Sequence, residues 1–294
     1  MSLAKDLIKV KNLQIASKLV SEQVTLGLHT SKRSGLGVEF EQYKHYTPGD
    51  DPSKIDWKLY ARTNKHQVKI SATESTLLLN FVLDLSGSMN YTENGVARLD
   101  YAKILLASMA YLGYKQGDFM NLFGLKNSKL EPLALQGKQT FQRILYTLEN
   151  TKASGPLRFE TLPDFGGKQK ELLIWATDFL QIDEEMLQLI KKWAKPGKEI
   201  LIFQILGENE VNLNLKGMKR FVDLETSKSV ELDAESIRKE YQQNISAYLE
   251  NIEKELLIPH VHLQKCMLNQ PIAEVIKEAL KKVKNVIQLS DRIN

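Results

Sequence analysis

From Leu77 onward, short apolar runs alternate with longer segments whose apolar residues recur every three or four positions. That alternation marks βαβ units on a mostly parallel sheet. The run LLLNFVLDL is apolar at both odd and even positions, as a strand buried on both faces requires. A helix is expected over ARLDYAKILLASMAYLGYKQG, ended by Gly117, then a strand over MNLFGLK, an edge segment KLEPLAL and a helix over QTFQRILYTLEN. KELLIWATD and KEILIFQIL read as further buried strands flanking the helix EEMLQLIKKWAKPG. Right-handed crossovers place helices on both sheet faces.

Beyond Leu206, FVDLETSKSVELD reads as a hairpin turning around Thr226, Ser227 and Lys228, with Asp233 as N-cap of a long helix. Ile237, Tyr241, Ile245, Leu249, Ile252 and Leu256 give that helix one apolar stripe. HVHLQKCML returns as a strand, and PIAEVIKEALKKV is a closing helix with Pro271 in its first turn. Upstream, MSLAKDLIKVKNLQIASKLV reads as one amphipathic helix, followed by the Gly-rich SKRSGLGVEF and by YTPGDDPSKIDW, whose prolines and glycine enforce a turn. Residues 1–73 therefore form an N-terminal extension. Residues 74–294 form an α/β unit that includes a hairpin near 221–233 and the C-terminal helices.

Composition narrows the classes. The 294 residues are 43% hydrophobic and 26% charged, enough apolar matter for a large core. The net charge is +4 and its surplus is spread along the chain, which argues against nucleic acid as a partner. A single cysteine, Cys266, excludes an internal disulfide and fits a reducing, cytoplasmic setting. Lys and Asp interrupt the N-terminal apolar residues, unlike a signal peptide. No stretch reaches the roughly 20 apolar residues of a membrane-spanning helix, so direct membrane insertion is not expected.

The candidate chemistry lies in NFVLDLSGSMNY. Asp84, Ser86 and Ser88 follow the most apolar strand, where open α/β sheets bind ligands. One carboxylate and two hydroxyls at alternate positions suit a hard divalent cation such as Mg²⁺ or Mn²⁺, and Gly87 lets the chain turn between the serines. Asp178 ends a second apolar strand and brings another acid to the same sheet edge.

At these residues the chain resembles the von Willebrand A-like proteins, and specifically the group known as domain of unknown function 58. The motifs that carry the resemblance are Gly35, Gly37 and Phe40; Tyr46, Pro48, Gly49, Asp50 and Asp51; Ile55, Asp56 and Trp57; Ala61 and Arg62; and Glu74. The resemblance implies a Rossmann-like, mostly parallel sheet and a metal-ion-dependent adhesion site. There the two serines bind the cation directly, Asp84 assists through water, Asp178 is the distal acid, and a partner's acidic side chain completes the shell. As partner it implies a MoxR-type AAA+ ATPase or its client in the assembly of other proteins. A threonine ligand is also implied, for which Thr161 is the choice and Thr151 and Ser154 the rivals. Lys44 and Ser53 stand where the family tends to carry arginines.

Asp50, Asp51 and Asp56, beside Pro and Gly, read first as turn-formers that bond their own backbone. Arg62 has the choice of pairing with one of them, stacking on Trp57 or facing solvent. His260 and His262 alternate on one strand face, and no histidine has zinc-ligand spacing with a cysteine. Catalytic sets are missing, so no enzymatic activity is expected: there is no G-x-x-x-x-G-K-[ST] loop, no G-x-S-x-G and no Asp-x-Asp. A metal-assisted hydrolase and a metal-free scaffold remain the alternatives to an interaction module.

Overall fold

The computed structural model describes residues 4–10, 12–32, 42–47, 52, 55–70, 76–126, 129–155, 170–180, 184–224 and 228–283. The first elements are α1 (Ala4–Lys9), α2 (Leu13–Lys32), β1 (Gln42–His45), α3 (Trp57–Thr63) and β2 (Gln67–Ile70). Next come β3 (Leu78–Asp84), β4 (Thr92–Glu93), β5 (Val96–Ala97), α4 (Arg98–Gln116), β6 (Phe119–Lys126), β7 (Lys129–Ala134) and α5 (Thr140–Asn150). The chain continues with β8 (Glu171–Thr177), α6 (Glu184–Trp193), β9 (Lys198–Leu206) and α7 (Glu208–Asn212). It ends with β10 (Met218–Val222), β11 (Ser229–Asp233), α8 (Ala234–Glu255), β12 (Val261–Met267) and α9 (Ile272–Lys282).

Six strands form one sheet in the order β12-β9-β8-β3-β6-β7, parallel except for β7. This is the α/β class expected. β3 and β8 are buried at every position because helices cover both faces. On one face Leu79, Phe81 and Leu83 pack with Leu105 and Leu106 of α4, Ile144 of α5 and Ile276 of α9. On the other, Val82, Trp175 and Ile202 pack with Ile190 of α6 and with Leu249 and Ile252 of α8. α4 ends at Gly117, whose φ of 74° is the left-handed conformation of a helix C-cap. At the edge strand β7, Pro132 pairs with Phe123 beside an irregularity in the ladder.

The chain divides into two compact units, Met1–Leu28 with Thr76–Asn294, and His29–Ser75. The expected boundary at 73/74 thus gives way to one that assigns the first 28 residues to the sheet unit. The reason is burial: Leu7, Leu13, Ala16, Val20 and Val24 join the main core, and the Ser21 hydroxyl donates to the Ser108 carbonyl of α4 at 3.0 Å. The single N-terminal helix expected is two, because Asn12 accepts a hydrogen bond from the Ile15 amide at 2.9 Å and caps a new helix.

The smaller unit holds the antiparallel pair β1–β2 and α3. The hairpin β10–β11 lies where expected, although its turn residues 225–227 are outside the described residues. Asp233 caps α8, accepting from the Glu235 amide at 3.3 Å. Only the C-terminal half of the α8 stripe is deeply buried, at Leu249, Ile252 and Leu256. Pro271 stands one position before α9, at its N-cap, rather than in its first turn. His260 and His262 do share a face, and they share a partner: Nδ1 of His260 and Nε2 of His262 lie 2.9 and 2.8 Å from the two carboxylate oxygens of Glu199.

Candidate functional site

β3 ends at Asp84 because the ladder to β6 stops there, with the Leu85 amide making one further bond to the Leu125 carbonyl at 2.9 Å. The chain then turns through a 3-10 helix over Gly87–Asn90. The segment after α5 braces this turn: the Ser154 amide donates to the Leu85 carbonyl, and the Gly87 amide donates to the Gly155 carbonyl, each at 2.7 Å. Asn90 adds a bond from Nδ2 to the Ala153 carbonyl at 3.1 Å. The serine loop is therefore held by backbone on both sides.

Within it, the Ser86 and Ser88 hydroxyls lie 2.9 Å apart. Asp84 is fully buried beneath them. Its Oδ1 accepts from the Ser86 amide at 2.8 Å, and its Oδ2 accepts from the Thr177 hydroxyl at 2.6 Å. Burial pushes the Asp84 pKa up to about 7, Asp178 adds repulsion, and the bonds from Thr177 and Ser86 partly offset both. A positive charge above the loop would relieve that cost.

Asp178 comes to the same place from β8, the neighbour of β3, and is also buried. Its Oδ2 accepts from Nη1 of Arg98 at 2.8 Å, and the same nitrogen donates to the Ser88 carbonyl at 2.9 Å. Nη2 of Arg98 bonds to Glu210 of α7, and the guanidinium lies 4.9 Å from the centre of the Tyr91 ring. Glu93 accepts from the Tyr91 hydroxyl at 2.6 Å and from the Glu208 and Asn209 amides at 3.0 and 2.9 Å. Burial first, and then the Glu93 carboxylate, raise the Tyr91 pKa and keep the phenol protonated.

The donor set suits a small divalent cation. Adjacent oxygens of an octahedron with metal–oxygen distances near 2.1 Å lie about 3 Å apart, close to the separation of the two serine hydroxyls. The set is rich in hydroxyls and poor in free carboxylates. Among the described residues, no group of three or more His, Cys, Asp or Glu side chains is placed to hold a metal ion.

The structure thus brings Asp84, Ser86, Ser88 and Asp178 together. Thr161 lies outside the described residues. Of its rivals, Thr151 donates its hydroxyl to the Thr147 carbonyl, and Ser154 docks the serine loop through its amide. Gly49, Asp50 and Asp51 also lie outside the described residues. In the smaller unit Asp56 N-caps α3 by accepting from the Leu59 amide at 2.9 Å, the local role its setting predicts. Trp57 is exposed, with its ring edge-on to Tyr60, and Arg62 is an exposed residue in the last turn of the same helix.

Sequence reasoning missed Thr177, Arg98, Glu93 and Glu210. Thr177 alone carried a local signal, a hydroxyl at the end of a buried strand next to Asp178.

A family model described as "Protein of unknown function DUF58" matches residues 42–250. Uncharacterized proteins of Mycobacterium bovis and Mycobacterium tuberculosis are 27% identical over 109 residues, which is 37% of this chain and 34% of theirs. Among solved structures, the hypothetical protein BatB of Bacteroides thetaiotaomicron is similar with a TM-score of 0.44 at 12% identity, over 70% of this chain and 98% of that one. The SpRpn10 VWA domain is similar with a TM-score of 0.42 at 10% identity, over 68% and 94%.

Proposed function

Because this chain belongs to the DUF58 family, we propose that it is a non-catalytic interaction module of the von Willebrand A type, whose serine loop holds Mg²⁺ or Mn²⁺. The observation that carries this reading is the pair of serine hydroxyls 2.9 Å apart over a fully buried Asp84. Hydroxyls, water and an already hydrogen-bonded carboxylate leave the cation short of negative charge. A carboxylate from a protein partner supplies it, through a charge-assisted bond the isolated chain lacks. We take the partner to be a MoxR-type AAA+ ATPase or its client, met in the cytoplasm. No described helix is long and apolar enough to cross a membrane.

The test is calorimetric titration of Mn²⁺ into the full chain and into Ser86→Ala/Ser88→Ala, followed by association with a candidate ATPase in Mg²⁺ and in EDTA. The reading expects binding lost in the double variant and association lost in EDTA. Unchanged Mn²⁺ affinity in the double variant rejects the site.

One observation favours a second reading, a metal-free scaffold: the Arg98 guanidinium already neutralises Asp178. That scaffold would associate equally with and without EDTA. The hydrolase alternative would instead turn over a generic phosphoester in a metal-dependent way and lose that turnover on Asp84→Asn.

A further inference from the structure

Arg98 is the first residue of α4 and has no exposed surface, yet it carries a full charge. Its guanidinium joins three pieces of chain that are distant in sequence: the serine loop at the Ser88 carbonyl, the end of β8 at Asp178, and α7 at Glu210. Its Nε has no hydrogen-bond partner among the described residues. Burying such an atom is costly, so the guanidinium is held where it is by its bonds to Ser88, Asp178 and Glu210.

The far end of the relay is equally defined. Glu210 also accepts from the Gly207 amide at 2.7 Å, and its own carbonyl accepts from the Tyr241 hydroxyl of α8 at 2.7 Å. Gln242 donates to the Asn212 carbonyl at 2.6 Å, and Arg238 donates to the Leu213 and Leu215 carbonyls at 3.0 and 2.6 Å. α7 is thereby strung between Arg98 on one side and α8 on the other.

We infer that Arg98 is a rival cation for Asp178 and a positioning residue that links occupancy of the serine loop to the placement of α7 and α8. The inference rests on the proposed metal reading. A divalent ion at Ser86 and Ser88 stands close to a guanidinium bonded to the Ser88 carbonyl, and both cations draw on one carboxylate. Ion binding weakens the Arg98–Asp178 bond and moves the guanidinium's share of bonding toward Glu210. Coupling of this kind is reciprocal: a partner that shifts α7 or α8 changes the metal affinity by the same factor that the metal changes the partner's.

The experiment uses the full chain and Mn²⁺. Calorimetry gives the affinity, and hydrogen exchange of peptides covering residues 207–216 and 238–246 gives the response of α7 and α8. In the wild type, Mn²⁺ is expected to change exchange in both peptides. Glu210→Gln removes the negative charge that draws the guanidinium toward α7, at a partly exposed residue: Mn²⁺ still binds, and the response in 207–216 disappears. Arg98→Lys keeps the charge but loses the fork that reaches two acids, which frees Asp178 and tightens Mn²⁺ binding by about fivefold or more. Mn²⁺ binding with an identical exchange response in wild type and Glu210→Gln, or with no response in either, overturns the linkage and leaves the metal reading intact. Absence of Mn²⁺ binding in the wild type overturns both. If Arg98→Lys fails to fold, Glu210→Gln still decides.

Discussion

Asp84 combines full burial with a pKa raised to about 7, and this makes the stability of the metal-free protein depend on pH. Its folded pKa lies above the unfolded value of 3.8, so between those limits the folded state keeps a proton that the unfolded chain releases. Stability is expected to fall as pH rises from about 4 to about 7 and to level off above, by at most about 4 kcal/mol. Asp84→Asn should flatten that part of the profile, which urea titrations at pH 5 and pH 8 in EDTA would reveal. A slope unchanged in the variant would assign it to another group. Glu199 has the opposite sign. Burial raises its pKa, but the hydrogen bonds from His260 and His262 outweigh burial and hold it below the usual carboxylate value. Its contribution is present at neutral pH and lost as pH falls through the lowered folded value, so Glu199→Gln should cost more stability at pH 7 than at pH 3. Equal urea midpoint shifts at the two pH values would count against the clamp.

At the scale of elements, α2 is fixed by one buried stripe, Leu13, Ala16, Val20 and Val24. Val20→Asp would put an unpaired charge against the core and is expected to cost about 3 kcal/mol or more, read as a lowered thermal midpoint. A shift within error would mean that the N-terminal helices are dispensable to the sheet unit. The strands were legible in the sequence because burial on both faces leaves no polar alternation, as in LLLNFVLDL and KEILIFQIL. The break at Asn12 was not, since an asparagine within an amphipathic pattern reads equally well as a surface residue until its side chain is seen capping Ile15. α7 and α3 were missed for a related reason: five- and seven-residue helices are too short to display a period. Asp84, Ser86, Ser88 and Asp178 could be grouped from strand-end position alone. Arg98 and Glu210 could not, because the bond between them spans 112 residues and follows from the strand order.

That strand order is what assembles the site across the whole molecule. β3, β8 and β9 are consecutive neighbours, so their C-terminal ends deliver the serine loop, Thr177 with Asp178, and α7 to one rim of the sheet. Among the described residues the sheet ends at β12 and β7, and an edge strand presents a row of backbone groups that templates pairing with a second chain. On β7 that risk is reduced by Pro132, which contributes no amide, and by the irregular register beside it. Pro132→Val should leave the fold of the monomer and Mn²⁺ binding unchanged while raising light scattering in concentrated, aged samples; equal scattering in both proteins would count against this. Pro132, which lies outside the rim, thus guards an edge of the same sheet whose strand ends build the site.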